Sequence, residues 1–97
     1  MVVMVTLEFS VLLERAEEFK ILLSELLPDT RSYEGCLKVD VYQGHDNPGT
    51  IYLVEDWKSK VHQQKYQAWR DESGIAEVVG PFLAEEPRFN YFDKQDI

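Results

Sequence analysis

Along this chain the spacing of apolar positions changes several times, and each change marks an element. From Val2 to Phe9 the odd positions Val3, Val5, Leu7 and Phe9 are apolar, and so are Val2 and Met4 before Thr6 and Glu8 turn polar. A β-branched run of this kind, bounded by Ser10, predicts a strand, and apolar side chains on both its faces predict cover on both sides. In LLERAEEFKILLSELL, Leu12, Ala16, Phe19, Leu23 and Leu26 recur at intervals of three and four, with Glu14, Glu17, Glu18, Lys20 and Glu25 off the stripe. That is an amphipathic helix. Pro28 fits either its end or the first residue of a further turn, and the reading taken is a kinked continuation through DTRSYE, closed by Gly35.

CLKVDVYQG alternates Leu37, Val39 and Val41 against Lys38, Asp40 and Tyr42, a strand with one face toward a core. HDNPGT supplies a tight reversal, and IYLVEDW is the returning strand of the hairpin. A second helix is predicted from about Ser59 to Arg70, interrupted near Gly74. The short helical piece IAEVVGPFLAE follows, and RFNYF after Pro87 is the last strand.

This order predicts an α+β, ferredoxin-like βαββαβ fold, with a four-stranded antiparallel sheet and its helices on one face. Strand three, like strand one, is apolar on both parities, Ile51 and Leu53 against Tyr52 and Val54. Helices on one side leave the other bare, and a second copy of the sheet packed there would hide it. A homodimer is therefore expected. The 97 residues are read as a single domain, 1–97, with a core over about 2–93 and KQDI, 94–97, as a tail or an arm over the neighbour.

Composition narrows the partners. At 44% hydrophobic and 29% charged residues the chain is of ordinary globular type. A formal net charge of −8 argues against nucleic acid and anionic membrane surfaces, which require a positive patch. The sparse cations Lys58, Lys60, Lys65 and Arg70, interleaved with acids, read as a solvated helix face. Cys36 is the one cysteine, so no intrachain disulfide or thiolate metal cluster can form, and a reducing, cytoplasmic setting is expected. MVVMVTLEF lacks the positive start of a signal peptide, and no apolar run approaches the roughly 20 residues of a membrane span.

Candidate chemistry concentrates in VEDWKSKVHQQKYQAWRDESG, residues 54–74. On the third strand Leu53, Glu55 and Trp57 share a face; on the next helix His62, Tyr66 and Trp69 fall on one stripe. If the stripe packs over the strand, two indoles, a phenol, an imidazole and a carboxylate converge as in a small-molecule pocket. The same aromatics serve equally as plain helix–sheet packing. Glu55 facing inward needs a partner, Arg31 or His62. His45 lies in a turn and reads as solvated. No GxGxxG, phosphate loop or GxSxG occurs, and the two histidines lie on different elements, so no cofactor and no metal are expected.

On these residues the chain resembles the antibiotic biosynthesis monooxygenase family of the dimeric α+β barrel superfamily. The features are EEF at Glu17–Phe19, Thr30-Arg31, Gly35-Cys36-Leu37, DNPG before the third strand, YLVEDWKS at Tyr52–Ser59, and GPFLAEEP before the last strand, together spanning about 2–93. The resemblance implies a homodimer whose two sheets close into a barrel, each subunit holding a pocket between sheet and helices. It further implies oxygenation of a small aromatic, quinol-like or polyketide-like, by O2 without metal or flavin, the deprotonated substrate itself reducing O2. Trp57 matches the family's strand-three tryptophan, and the site expected is Trp57, Trp69 and Leu53 for binding, with His62, Tyr66 and Glu55 for proton transfer and ring orientation. Many relatives carry a histidine one turn into the second helix and a His-Phe pair after it, where this chain has Tyr66 and QAWRDE. Strand one, VTLEF, lacks the asparagine of the haem-degrading branch, and no histidine follows His62, so haem degradation is not expected. Two other readings stay open: a non-catalytic small-molecule-binding or stress-response dimer, and a non-oxidative, isomerase-type enzyme. The oxygenase reading requires Trp57 and the His62–Tyr66–Trp69 ridge to enclose a chamber.

Overall fold

The computed structural model describes residues 2–97. Four strands, β1 (Val3–Ser10), β2 (Cys36–Gln43), β3 (Thr50–Trp57) and β4 (Arg88–Asp93), form one antiparallel sheet in the order β2-β3-β1-β4. Helix α1 (Ala16–Ser32) follows a 3₁₀ turn at Leu13–Arg15; α2 (Lys60–Glu72) and the short α3 (Ile75–Val79) lie between β3 and β4. The architecture is the α+β, ferredoxin-like one the sequence predicts.

The register decides which side chains meet. Val5 pairs with Glu55 on one side and Tyr91 on the other, and Leu7 pairs with Leu53 and Phe89. The odd positions of β1 and β3 therefore share the helix face. There Val3, Val5, Phe9, Ile51, Leu53 and Trp57 are buried. Helix α1 supplies Ala16, Phe19, Leu23, Leu27 and Thr30 to the same core. Each large side chain fully buried here contributes about 1.5–3 kcal/mol, and Phe19 meets Phe9 edge-on at 5.0 Å. The buried stripe ends on Leu27 and Thr30, whereas Leu12 and Leu26 are only half-buried, a correction to the predicted stripe. Pro28 sits inside α1, and the helix continues past it as expected, but it ends at Ser32, short of the end of the predicted DTRSYE, because Tyr33 is already extended.

On the edge strand β2 the predicted alternation is displaced. Cys36 lies opposite Trp57 and Lys38 opposite Asp56, so β2 advances two residues while β3 advances one. This bulge turns Leu37 out, half-exposed, and lets Cys36 take the inward place expected of Leu37. From Val39 onward the pairing is regular, with Val39 opposite Glu55 and Val41 opposite Leu53.

Gly35 opens β2 with φ of +93°, and a Cβ there would stand 2.4 Å from the His62 ring. Its carbonyl accepts from Lys58 N at 2.8 Å, tying the start of β2 to the end of β3. Gly35→Ala combines left-handed backbone strain with a steric clash, and a loss of about 1–3 kcal/mol in urea unfolding is expected. Among the described residues no helix packs on the opposite sheet face. Thr6 is buried there, but Met4, Tyr42 and Phe92 are exposed, with Tyr52 and Val54 half-buried beside them.

Candidate functional site

Between the helix face of the sheet and the helices lies a cavity of about 720 Å³. Leu7, Phe9 and Leu53 form its floor, Leu23, Leu26 and Leu27 of α1 one wall, and Ile75 and Val79 of α3 another. Residues 83–87 and Phe89 complete it. Into this apolar enclosure reach Glu55, Tyr66, Thr30 and Arg70.

Glu55 points inward because β3 alternates, and it is 4% exposed. Its expected partners, Arg31 and His62, lie elsewhere. Arg31 donates to Val39 O at 3.1 Å. The donor to Glu55 is Trp57 Nε1, 2.8 Å from Oε1, two residues along the same strand. Burial pushes the Glu55 carboxyl above its ordinary value; the Trp57 hydrogen bond and the Arg70 charge oppose this without cancelling it. Replacing Trp57 by phenylalanine keeps a ring in place and removes the donor. The carboxyl should then titrate still higher, readable as an upward shift of any pH profile that depends on Glu55.

Helix α2 is capped at Ser59, whose Oγ accepts from His62 N at 3.2 Å. Its buried residues are Gln63, Tyr66 and Arg70, so the inward stripe is not His62–Tyr66–Trp69, and Arg70 is not on a solvated face. Arg70 is 6% exposed. Its Nε donates to Tyr66 Oη at 2.7 Å, and Nη2 donates to Leu26 O at 2.7 Å and Thr30 Oγ1 at 3.0 Å. Thr30 Oγ1 and Tyr66 Oη are 2.6 Å apart. Arg70 makes no ion pair among the described residues. Burial raises the Tyr66 phenol above its ordinary value, against the pull of Arg70 and Thr30. Tyr66 is thus a protonated phenol at neutral pH, held in place by a guanidinium.

The remaining expected residues fall outside the cavity. Trp57 is fully buried, and its ring lies 5.1 Å from that of Tyr66, behind Glu55. Trp69 is 37% exposed and packs against Tyr33 at 5.5 Å, while Tyr33 also meets Tyr66 edge-on at 5.3 Å. His62 is half-buried, with Nδ1 2.7 Å from Ser59 Oγ. Together with Tyr33 and Trp69 it borders a separate, open depression. The ridge therefore does not enclose the chamber: its aromatic rings interlock, which takes that footing from the oxygenase reading. The void that remains for a ligand opens beside them, past Glu55 and Tyr66. Of the six expected residues, Leu53, Glu55 and Tyr66 line that void. Arg70 and Thr30 were missed. The available signal was the sparse apolar content of α2, Val61, Tyr66, Ala68 and Trp69, too little for an inward stripe without polar help. Among the described residues no three His, Cys, Asp or Glu side chains gather to hold a metal ion, and no helix is long and apolar enough to cross a membrane.

Comparison with known proteins agrees with this fold. The family profile described as antibiotic biosynthesis monooxygenase matches residues 2–80. No curated protein matches the chain. Among solved structures, a conserved protein from Methanosarcina mazei Go1 is similar at 25% identity and a TM-score of 0.87, over 98% of this chain and 94% of that one. Rv0793 from Mycobacterium tuberculosis is similar at 21% identity and 0.85, over 100% and 98%. A structure described as an antibiotic biosynthesis monooxygenase is similar at 17% identity and 0.84, over 96% and 98%.

Proposed function

The chain belongs to the antibiotic biosynthesis monooxygenase family, and from that premise we propose that it oxygenates a small quinol-like or polyketide-like aromatic with O2 in the 720 Å³ cavity. One observation carries the reading: a buried carboxylate, Glu55, faces a largely apolar space that it shares with a buried guanidinium, Arg70. A carboxyl raised by burial is a better proton acceptor than an exposed one. Glu55 takes the hydroxyl proton of the ring, and the field of Arg70, with the Tyr66 phenol fixed beside it, favours the anion. The electron-rich anion reduces O2. For a quinol the balance is quinol plus O2 giving hydroxyquinone plus water: one oxygen atom forms the new ring C–O bond and the other leaves as water. The substrate supplies all four electrons, so the reaction needs no cofactor. In this reading Trp57 positions Glu55, and Trp69 and His62 stand away from the reacting atoms.

A hydroquinone panel on an oxygen electrode, with metal-free protein, tests this. Protein-dependent uptake of one O2 per quinol, lost in Glu55→Gln and retained in His62→Gln, is the expected result; no uptake across the panel overturns it. Glu55 would serve equally as proton carrier in an isomerase-type reaction, which strict anaerobiosis separates because that turnover would persist.

The working unit is proposed to be a homodimer. Met4, Tyr42 and Phe92 with Tyr52 and Val54 form an apolar sheet face without helices, and a second copy of that face covers it best. Sedimentation should give twice the mass of the chain, and a monomer at micromolar concentration would refute the proposal. The single cysteine suits a reducing, cytoplasmic setting.

A further inference from the structure

We propose that Asp71, Glu85 and Glu86 make the cavity selective for aromatics that arrive uncharged or bearing an ammonium group, and against carboxylated ones. This rests on the cavity being the substrate site and adds the charge class of what enters it.

The cavity's lining divides by exposure. Its inner charged groups are Glu55 and Arg70, both buried. Where it meets solvent, the charged lining residues are Asp71, Glu85 and Glu86, all exposed and all acidic. Their charges are little offset. Asp71 Oδ1 accepts from the neutral amide of Gln67 at 3.1 Å. Glu85 lies 3.5 Å from the Ser10 hydroxyl and 3.9 Å from Arg88 Nη2, in a pair whose side chains are 62% and 69% exposed, and exposed pairs of this kind bind weakly. Arg15, the other nearby cation, is turned away onto the Phe82 ring and toward Glu18.

Arg70 does not reverse this. Its Nε and Nη2 are committed to Tyr66, Thr30 and the Leu26 carbonyl, and Glu55 shares its cavity. An anionic ring must pass three carboxylates to reach one guanidinium, on a protein already at −8. A phenol that enters neutral and loses its proton inside meets no such barrier, which matches a site whose own base is buried.

Three naphthols of similar size provide the test: 2-naphthol, 6-(aminomethyl)-2-naphthol and 6-hydroxy-2-naphthoate, titrated anaerobically by their own fluorescence. At low ionic strength the naphthoate should bind about tenfold more weakly than 2-naphthol, and the ammonium compound at least as tightly. About 0.5 M salt should narrow the gap, and the triple variant D71N/E85Q/E86Q, which alters only exposed side chains, should close it. Naphthoate binding equal to that of naphthol, or a gap unchanged in the triple variant, overturns the inference alone. Failure of all three probes to bind removes the cavity as a ligand site and the inference with it. Oxygen uptake plays no part in this readout, so a protein that binds with the expected order but consumes no oxygen fails only the oxygenase reading.

Discussion

Arg70→Met should cost about 2–3 kcal/mol of stability and, under the oxygenase reading, about 10²–10³ in turnover. Methionine replaces the aliphatic stem but donates nothing. Three acceptors, Tyr66 Oη, Thr30 Oγ1 and Leu26 O, lose a charged donor, and α2 loses its polar tie to α1. Tyr66 and Thr30 can still bond each other across 2.6 Å, which limits the loss. The electrostatic effect reaches further than these contacts. Arg70 lowers the Glu55 and Tyr66 values against the burial that raises both, so its removal should send both higher. Activity that depends on ionised Glu55 should then require higher pH, a shift that a merely structural role for Arg70 would not produce. Arg70→Lys is the informative control. A single ammonium cannot reproduce the planar fork that reaches Tyr66 on one side and α1 on the other, so lysine should rescue little. Wild-type stability and turnover in Arg70→Lys would refute this account.

The contrast between β3 and α2 shows what was legible in the chain. On β3 the two-residue period alone turns Leu53, Glu55 and Trp57 inward, and all three are found buried. The order of strands and helices along the chain and the passage of α1 through Pro28 follow from equally local signals. Periodicity does not reveal the inward face of helix α2, Gln63, Tyr66 and Arg70, because partners distant in sequence define it. Arg70 is buried by what Leu26 and Thr30, forty and more residues earlier, offer it. Hydropathy assigns an arginine or a glutamine to solvent, yet Gln63 is 1% exposed, with Oε1 accepting from Tyr91. Trp69, the more hydrophobic residue, is left partly outside.

The cavity itself was still less legible. Aromatic spacing suggested rings around a void, but the rings of Trp57, Tyr66, Trp69 and Tyr33 fill one another's gaps. The void exists because α3 and residues 83–87 line the far side of a space that the sheet and α1 leave unfilled. That depends on where a short helix comes to rest, which no periodicity encodes. The bulge at Leu37 is a similar case, since a one-residue slip on an edge strand leaves the alternation intact on paper while reversing which side chain faces in.

Glu55→Gln should make the protein more stable at neutral pH and inactive, and the two effects have one origin. The glutamine side chain matches the carboxyl in shape, and its Oε1 can still accept from Trp57 Nε1, so packing is preserved. The folded-state value of Glu55 is raised by burial, so the native protein holds this proton more tightly than the unfolded chain does. The resulting stability is fully present below the unfolded value, about 4.3 for an unperturbed glutamate, and is lost as pH rises through the higher folded value. The amide has no such loss. Wild type and Glu55→Gln should therefore match in urea midpoint at low pH and diverge upward from the ordinary carboxyl range, with the variant the more stable. Turnover should follow the opposite sense, rising in the wild type as Glu55 ionises and staying flat in the variant, lower by about 10²–10⁴. A variant no more stable than wild type at pH 7, or an oxygen uptake that survives the substitution, would mean that Glu55 is not the strained base described here. The energy lost in ionising a carboxyl inside an apolar cavity is what makes that carboxyl reactive toward a phenolic proton.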